Sequence, residues 1–364
     1  FAFLYPPLSA ILLALPSAFG KLPLYLGLCL LNAVAWWMTA QFSNAMTGSG
    51  KTPDPWLEAL PGIVTLPFVF DMFDLGQPNL VLLAMMLFGF WCLWRGSGWL
   101  SGGMFALAAA IKVFPVAVLP YLLWRRHWKS AISMVAFLGV LLFLAPAPIR
   151  GFDRNVSELT TWYRGMIGSN SEHGFGQRDA QNWSWVNQSI IAVTHRLVRP
   201  VNYNQIDPAK PAQYMNVADV DYRTANGIVL AVFAAIGLGF IAIIPARANM
   251  TPRSTAEEVG ILFCLMTLAS PLARQYYFVW LFFPITVLFH RAALDCWPKA
   301  RAISRLALGV SFALMALSLP VFPKILQAAG NNIAATFVLV AALAWHILNP
   351  PPARDPHSTV QPRI

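Results

Sequence analysis

Apolar residues run along this chain in long blocks, such as "LVLLAMMLFGFWCLW" at 80–94, with short polar interruptions between them. A helix crosses a hydrocarbon core of about 30 Å with about 20 apolar residues, or fewer where it is broken or leans on other protein segments. On that measure the pattern predicts about eleven spans, near 23–41, 57–72, 79–95, 99–111, 114–125, 131–147, 225–245, 257–270, 275–290, 303–320 and 332–348. Residues 6–19 contain three prolines and are too short to span, so a re-entrant or interfacial hairpin is expected there. The one sizeable polar segment is 148–222, irregular and rich in Trp, Asn and Gln; it reads as a lid over the mouths of the spans. Within it, "NQSIIAVTHRLV" has the spacing of an amphipathic helix lying on a membrane surface. The fold class that follows is all-α: a polytopic transmembrane bundle forming one domain over 1–364, with 148–222 as an extracytoplasmic loop within it.

Composition supports this frame. The chain is 57% hydrophobic and 11% charged, with mean hydropathy +0.58, against about 25% charged residues in soluble domains. The net charge of +10 is dispersed among short loops and forms no single basic stripe, which argues against nucleic acid as a partner. Arg95, the run Arg125-Arg126-His127-Trp128-Lys129, Arg247 and Arg253, then Arg291, Lys299, Arg301 and Arg305, and the tail residues Arg354 and Arg363 fall on alternate connections. Those connections belong on the cytoplasmic side. The same scheme places "FDLGQPN" at 73–79, Lys112, the 148–222 segment, the Ser270–Tyr277 turn and the 320–332 loop together on the outer face of a bacterial inner membrane. The chain opens at Phe1 in an apolar stretch with no basic residues ahead of it, which reads as a fragment lacking its N-terminal segment and not as a signal peptide.

Other chemistry is thin. Cys29, Cys92, Cys264 and Cys296 form no CxxC pair. His173 and His195, with Asp153, Glu158, Glu172 and Asp179, match no metal-ligand spacing, so neither metal nor cofactor is expected. "MTGSGKTPD" at 46–54 lacks the P-loop spacing and a preceding strand, and reads as a flexible loop. The Asn-x-Ser triplets at Asn155, Asn182 and Asn187 are glycosylation acceptors only in a eukaryotic secretory route.

The informative polar residues are those at membrane depth or at span mouths, where ionisable groups are expensive. Lys112 interrupts "ALAAAIKVFPVAVLPYLLW" three positions before Pro115; its ammonium suits a phosphate, and a snorkelling lysine is the competing reading. Asp71 and Asp74 end one span, and Gln77 and Asn79 open the next as an amide pair suited to sugar hydroxyls or phosphate, with helix capping as the alternative for Asn79. In "SPLARQYYFVW", Arg274 offers a fork for phosphate, while Tyr276 and Tyr277 offer flat faces for a sugar ring or, alternatively, an aromatic belt.

These residues sit in motifs that resemble glycosyltransferase family 87, membrane enzymes of the GT-C superfamily typified by polyprenol-phosphate-mannose-dependent α-1,2-mannosyltransferases. The motifs are Tyr5-Pro6-Pro7, Gly76-Gln77-Pro78-Asn79 followed by "LVLLAMML", "WLSGGMFALAAAIKVFPVAVLPYLLWRRHWK", Asn187-Gln188-Ser189, and Ser270-Pro271 leading to "YYFVW". The resemblance implies a GT-C-like bundle, a polyprenyl-phosphate sugar as donor, a lipid or glycan hydroxyl as acceptor, and metal-independent hexose transfer at the outer face of the membrane. On this reading Lys112 and Arg274 hold the donor phosphate, and Gln77, Asn79, Asn187, Gln188, Tyr276 and Tyr277 bind sugar or acceptor. The family's general base is an acidic residue of the first outer loop, expected before Phe1, which leaves Asp74 as the candidate within the chain. Two departures stand out: family members commonly have Trp-x-His-Tyr where this chain has Arg274-Gln275-Tyr276-Tyr277, and the stretch from Ser43 to Asp54 lacks their basic run. The rival classes are a transporter or flippase of lipid-linked intermediates and a non-catalytic envelope-assembly subunit.

Overall fold

A computed structural model describes residues 5–47, 54–176, 178–179, 181–207 and 209–350. Residues 48–53 of the "MTGSGKTPD" loop, the Asp179 side chain and the tail arginines lie outside the described residues. The chain is helical almost throughout. Helix α1 (Pro7–Ser17) turns into α2 (Lys21–Met46), followed by α3 (Pro55–Asp74), α4 (Asn79–Trp94) and α5 (Gly98–Ile111). A 3-10 turn, Phe114–Ala117, leads to α6 (Val118–Trp124); α7 (Trp128–Gly139) runs through a π-turn into α8 (Ala147–Arg150). The polar segment then forms α9 (Phe152–Met166), three two-residue strands, β1 (Asn170–Ser171), β2 (Gly174–Phe175) and β3 (Arg178–Asp179), and α10 (Ile190–Val198). The strands make a small antiparallel sheet in the order β1-β2-β3. The C-terminal part comprises α11 (Tyr222–Ile243), α12 (Pro252–Ala269), a 3-10 run Gln275–Leu281 continuing into α13 (Phe282–Leu294), α14 (Pro298–Ala316), α15 (Lys324–Ala328) and α16 (Asn331–Leu348).

Six segments among the described residues are long and apolar enough to cross a membrane: α2, α3, Trp128–Arg150, α11, Gln275–Leu294 and α16. The other five expected spans fall short for definable reasons. Gly and Pro cut 79–125 into pieces, so that α4, with 16 residues, extends about 24 Å at 1.5 Å per residue. Helix α12 carries Arg253, Glu257 and Glu258, and α14 carries Lys299, Arg301 and Arg305. Residues 7–17 form one helix, not a hairpin, with Pro7 in its first turn, where a missing N–H is harmless.

Local sequence rules explain the ends that matter for function. Helix α5 stops because the ring of Pro115 would collide with the carbonyl four residues earlier, at Ile111, and Lys112 is left extended at φ −147°, ψ 121°. Helix α3 ends in a Schellman turn: Gly76 N–H donates to Phe73 O at 3.1 Å and Gln77 N–H to Met72 O at 3.0 Å. Gly76 takes φ +60°, which a residue with a Cβ adopts only at a cost of about 1 kcal/mol. "FDLGQPN" is therefore a compact turn that aims Gln77 and Asn79.

The core lies between α3, α4, α5, α12 and the segment 275–294, with Phe90 packed edge-on against Phe263 at 5.7 Å and Phe114 against Trp280 at 4.4 Å. Helix α5 meets α7 through small residues at four-residue spacing, Gly98 and Gly102, the means by which backbones approach closely in membranes. A Cβ at Gly102 would sit 2.3 Å from Ser130 O and 2.7 Å from Met134 N.

The 148–222 segment is more embedded than its sequence suggests. Helix α10 buries Ile190 and Val193 on one side and Ala192, His195 and Arg196 on the other, so it is packed into protein and not laid on a membrane. Its polar face is fully engaged. Arg196 donates to the carbonyls of Ala328, Trp183, Ser184 and Asn187 at 2.7–3.0 Å. His195 accepts at Nδ1 from Arg199 (3.1 Å) and donates from Nε2 to Asn226 (3.2 Å), while Arg199 also reaches Glu172 at 2.7 Å. Asn155, Asn182 and Asn187 are all buried, which removes them as glycosylation acceptors.

Two outcomes are expected. Gly102→Ala forces α5 from α7 and lowers stability by about 1–3 kcal/mol, whereas Gly103→Ala, whose nearest neighbour would be Phe137 at 4.0 Å, is tolerated; thermal unfolding in detergent distinguishes them. Burial, reinforced by the Arg199 charge, lowers His195 to about 4 from its ordinary 6.5. Because the folded value lies below the unfolded one, the contribution of the neutral ring is complete above about pH 6.5 and is lost as pH falls towards 4. Protection from hydrogen exchange over 170–200, taken relative to the intrinsic rate at each pH, therefore falls on acidification, and His195→Gln, which retains a donor and an acceptor, flattens that dependence.

Candidate functional site

The break after α5, the turn after α3 and the turn after α12 all open on one cavity of about 240 Å³. Lys112, Gln77, Asn187, Arg274, Tyr276 and Tyr277 line it, so six residues singled out from scattered parts of the sequence converge. Tyr5, Trp162 and Met166 complete the wall on the side of α1 and α9.

Lys112 is the centre of the arrangement. Its side chain is 8% exposed, and its Nζ donates to Asn79 Oδ1 at 3.0 Å. Three aromatic faces surround the ammonium: Tyr277 at 4.1 Å, Tyr276 at 5.2 Å and Tyr5 at 5.4 Å from ring centroid to Nζ. Cation–π contacts of this kind contribute about 0.5–2 kcal/mol each. They offset part of the cost of removing an ammonium from water and supply no negative charge. Among the described residues no carboxylate lies within 4 Å of Lys112, and the described cavity lining contains neither Asp nor Glu. Arg274, half-buried, likewise has no salt bridge or side-chain hydrogen bond among the described residues. Two cations thus face a partly enclosed space lined by rings and amides, an arrangement suited to an anion with an attached polar ring.

The amides divide into two kinds. Asn79 is wholly buried and does not line the cavity: Oδ1 holds Lys112 and Nδ2 donates to Tyr276 O at 3.3 Å, so it positions the cation. Asn187 is spent on structure, donating to Asn182 O (2.9 Å) and Pro271 O (3.2 Å) and accepting from Ser189 N and Ala273 N. Gln188 is also a brace; its N–H donates to Ala273 O at 2.8 Å and its Oε1 accepts from Asn332 N at 3.3 Å. Gln77 remains a cavity residue and accepts from the Tyr5 hydroxyl. Asp74 is exposed at the end of α3, outside the cavity lining. Asp71, one turn earlier, accepts from Tyr276 N–H at 2.9 Å and fixes the start of the 3-10 run that carries the tyrosines.

Sequence reasoning missed Asn182, Trp162 and Arg196. Asn182 lines the cavity, donates to Phe175 O at 2.8 Å, and has a buried Oδ1 with no partner among the described residues, an acceptor suited to a ligand hydroxyl. Its only sequence signal was the Asn-x-Ser triplet, which pointed to a different chemistry. Arg196 lies in the stretch whose spacing reads as an amphipathic surface helix, and only the folded loop shows that it ties the 183–187 backbone to α15.

No group of three or more His, Cys, Asp or Glu able to hold a metal occurs among the described residues. Comparison with known proteins agrees with the motifs. A curated relative from Mycobacterium tuberculosis (strain ATCC 25618 / H37Rv), a polyprenol-phosphate-mannose-dependent alpha-(1-2)-phosphatidylinositol mannoside mannosyltransferase, is 30% identical over 158 residues, covering 39% of this chain and 36% of the relative. The chain thus spans about a third of the length of the curated relative it matches. No solved structure matches it significantly. The family model for glycosyltransferase family 87 matches residues 3–271, taking in Tyr5, the Gly76–Asn79 turn, Lys112 and Asn187 and ending just before Arg274; this chain belongs to glycosyltransferase family 87.

Proposed function

We propose that this chain transfers a hexose, mannose in the first instance, from a polyprenyl-phosphate sugar to a lipid or glycan hydroxyl at the extracytoplasmic face of the membrane. The observation that carries the reading is the pair Lys112 and Arg274 facing a cavity with no carboxylate in its described lining. The family membership and the activity named for the mycobacterial relative support it.

In the proposed step the acceptor hydroxyl oxygen bonds to the anomeric carbon, the bond from that carbon to the phosphate oxygen breaks, and the hydroxyl proton passes to solvent water. Polyprenyl phosphate leaves with the bonding pair and the charge that develops on its oxygen. Lys112 and Arg274 hold the phosphate and stabilise that charge, an effect strengthened by the low dielectric of the site. Asn79 keeps Lys112 aimed, and Tyr276 and Tyr277 present flat faces to the sugar while orienting the ammonium. Gln77 and Asn182 Oδ1 recognise hydroxyls. Asn187 and Gln188 act by bracing the wall. The proton is not assigned to Asp74, which is exposed and outside the described lining, nor to Asp71, which is held by the Tyr276 amide.

The test is sugar transfer by the purified protein from polyprenyl phosphate mannose. Lys112→Ala is expected to lower kcat about 100-fold or more, the scale for losing one preorganised stabilising group. Arg274→Ala acts mainly on kcat/KM, Asn79→Ala reproduces a milder Lys112 defect, and Asp74→Asn leaves turnover unchanged. Unchanged turnover in both Lys112→Ala and Arg274→Ala overturns the phosphate assignment. Asn182→Ala is expected to raise KM for the sugar substrate about tenfold, the loss of one buried hydroxyl contact.

A further inference from the structure

We propose that the opposite end of the bundle carries a second anion site, which takes the phosphate of an anionic phospholipid headgroup. It is a cavity of about 270 Å³ between the turn after α6 and the turn after α11, lined by Trp124, Arg125, Arg126, Ile244, Pro245 and Arg247. Helix α11 leaves the outer segment at Tyr222 and ends at Ile243, about 33 Å away at 1.5 Å per residue, so this cavity is remote from the one at Lys112.

Its walls are built, not incidental. Arg125 is 4% exposed, pairs with Glu258 of α12 and donates from Nη1 to Pro245 O at 2.8 Å, fixing both lips of the cavity. That pairing neutralises Arg125 and leaves Arg126 and Arg247 as the net charge. Neither guanidinium has a salt bridge or side-chain hydrogen bond among the described residues. Positive charge converges there to the extent that His127, already lowered by burial, is lowered further by Arg247 and Arg125.

The backbone at Arg126 is unusual as well. Helix α6 ends in the same turn as α3 and α4: Arg126 N–H donates to Leu123 O at 3.0 Å and His127 N–H to Leu122 O at 2.8 Å. In the two equivalent turns the left-handed position is Gly76 and Gly96; here it is Arg126, at φ 56°, the sole non-glycine residue with positive φ among the described residues. Glycine would relieve this conformation, so the arginine is held at a local energetic cost. The cost places a guanidinium at the cavity mouth, beside a half-exposed Trp124 and the apolar Ile244. A guanidinium pair beside an interfacial indole matches a phosphate joined to acyl chains better than a free anion, which has no use for the apolar wall.

The experiment is native mass spectrometry of the delipidated full chain titrated with phosphatidylglycerol or phosphatidylcholine, with inorganic phosphate as competitor. One phosphatidylglycerol is expected to bind in preference to phosphatidylcholine and to resist inorganic phosphate. Arg126→Gly, which removes the guanidinium and relaxes the backbone, and Arg247→Gln are each expected to weaken binding about tenfold. Lys129→Gln, which removes an exposed charge next to the site, leaves it intact. Undiminished binding in the Arg126→Gly/Arg247→Gln double variant overturns the proposal. So does an equal loss in Lys129→Gln, which would mean diffuse attraction to a basic face, or displacement by inorganic phosphate, which would mean a free-anion site. Because Arg126→Gly removes a strained conformation, misfolding does not account for a loss in that variant.

Discussion

Burying an ammonium without a carboxylate is the constraint around which the Lys112 end of this protein is organised. Lys112 is held by one amide oxygen and three aromatic rings, and each partner is fixed in turn by something else. Asn79 is held by the Tyr276 carbonyl, the Tyr276 amide by Asp71, and the Tyr5 hydroxyl by Gln77. These bonds join the ends of α3 and α4, the break after α5 and the 3-10 run before α13, elements separated by up to about 200 positions in the chain. The charge itself is left unanswered on the side that faces the cavity. A polar network whose members are satisfied except towards an open space is preorganised for whatever fills that space.

The 148–222 segment completes this arrangement by bracing. Arg196 gathers four carbonyls, and Asn187 and Gln188 clamp the 182–188 strip to the 270–273 turn and to the start of α16. The segment is therefore part of the wall, and the two members of Asn187-Gln188-Ser189 that looked most like ligand contacts act through the backbone they hold. Ser189 caps α10 by accepting from Ala192 N–H at 3.1 Å, so the whole triplet serves to seat that helix.

Much of this was legible in the sequence, and the failures have physical causes. Lys112 and Pro115 in an apolar run mark a helix break with a cation on it, and the Gly76-Gln77-Pro78-Asn79 turn marks a second; both meet at the cavity. Arg274, Tyr276 and Tyr277 were found from residue type alone. Six of the eleven expected spans reach a membrane-crossing length among the described residues, because hydropathy registers an apolar residue without asking whether lipid or protein surrounds it; α4 is apolar as core, with Leu80, Leu82, Leu83, Met86, Leu87 and Phe90 wholly buried. The same blindness misread α10, whose amphipathic spacing reflects two buried faces of different chemistry. Asn79 and Gln188 could not be told from ligand contacts because an amide that braces and an amide that binds are identical until partners are seen.

The close seam between α5 and α7 has a consequence for how such a site can change. With backbone atoms of Ser130 and Met134 pressed against Gly102, α5 has no room to slide or roll, and the cation at its end inherits that immobility. Under the proposed function, selectivity among sugars is then retuned not by moving the charge but in the surrounding rings, at Tyr5, Tyr276 and Tyr277, while the position of Lys112 stays tied to the helix seam.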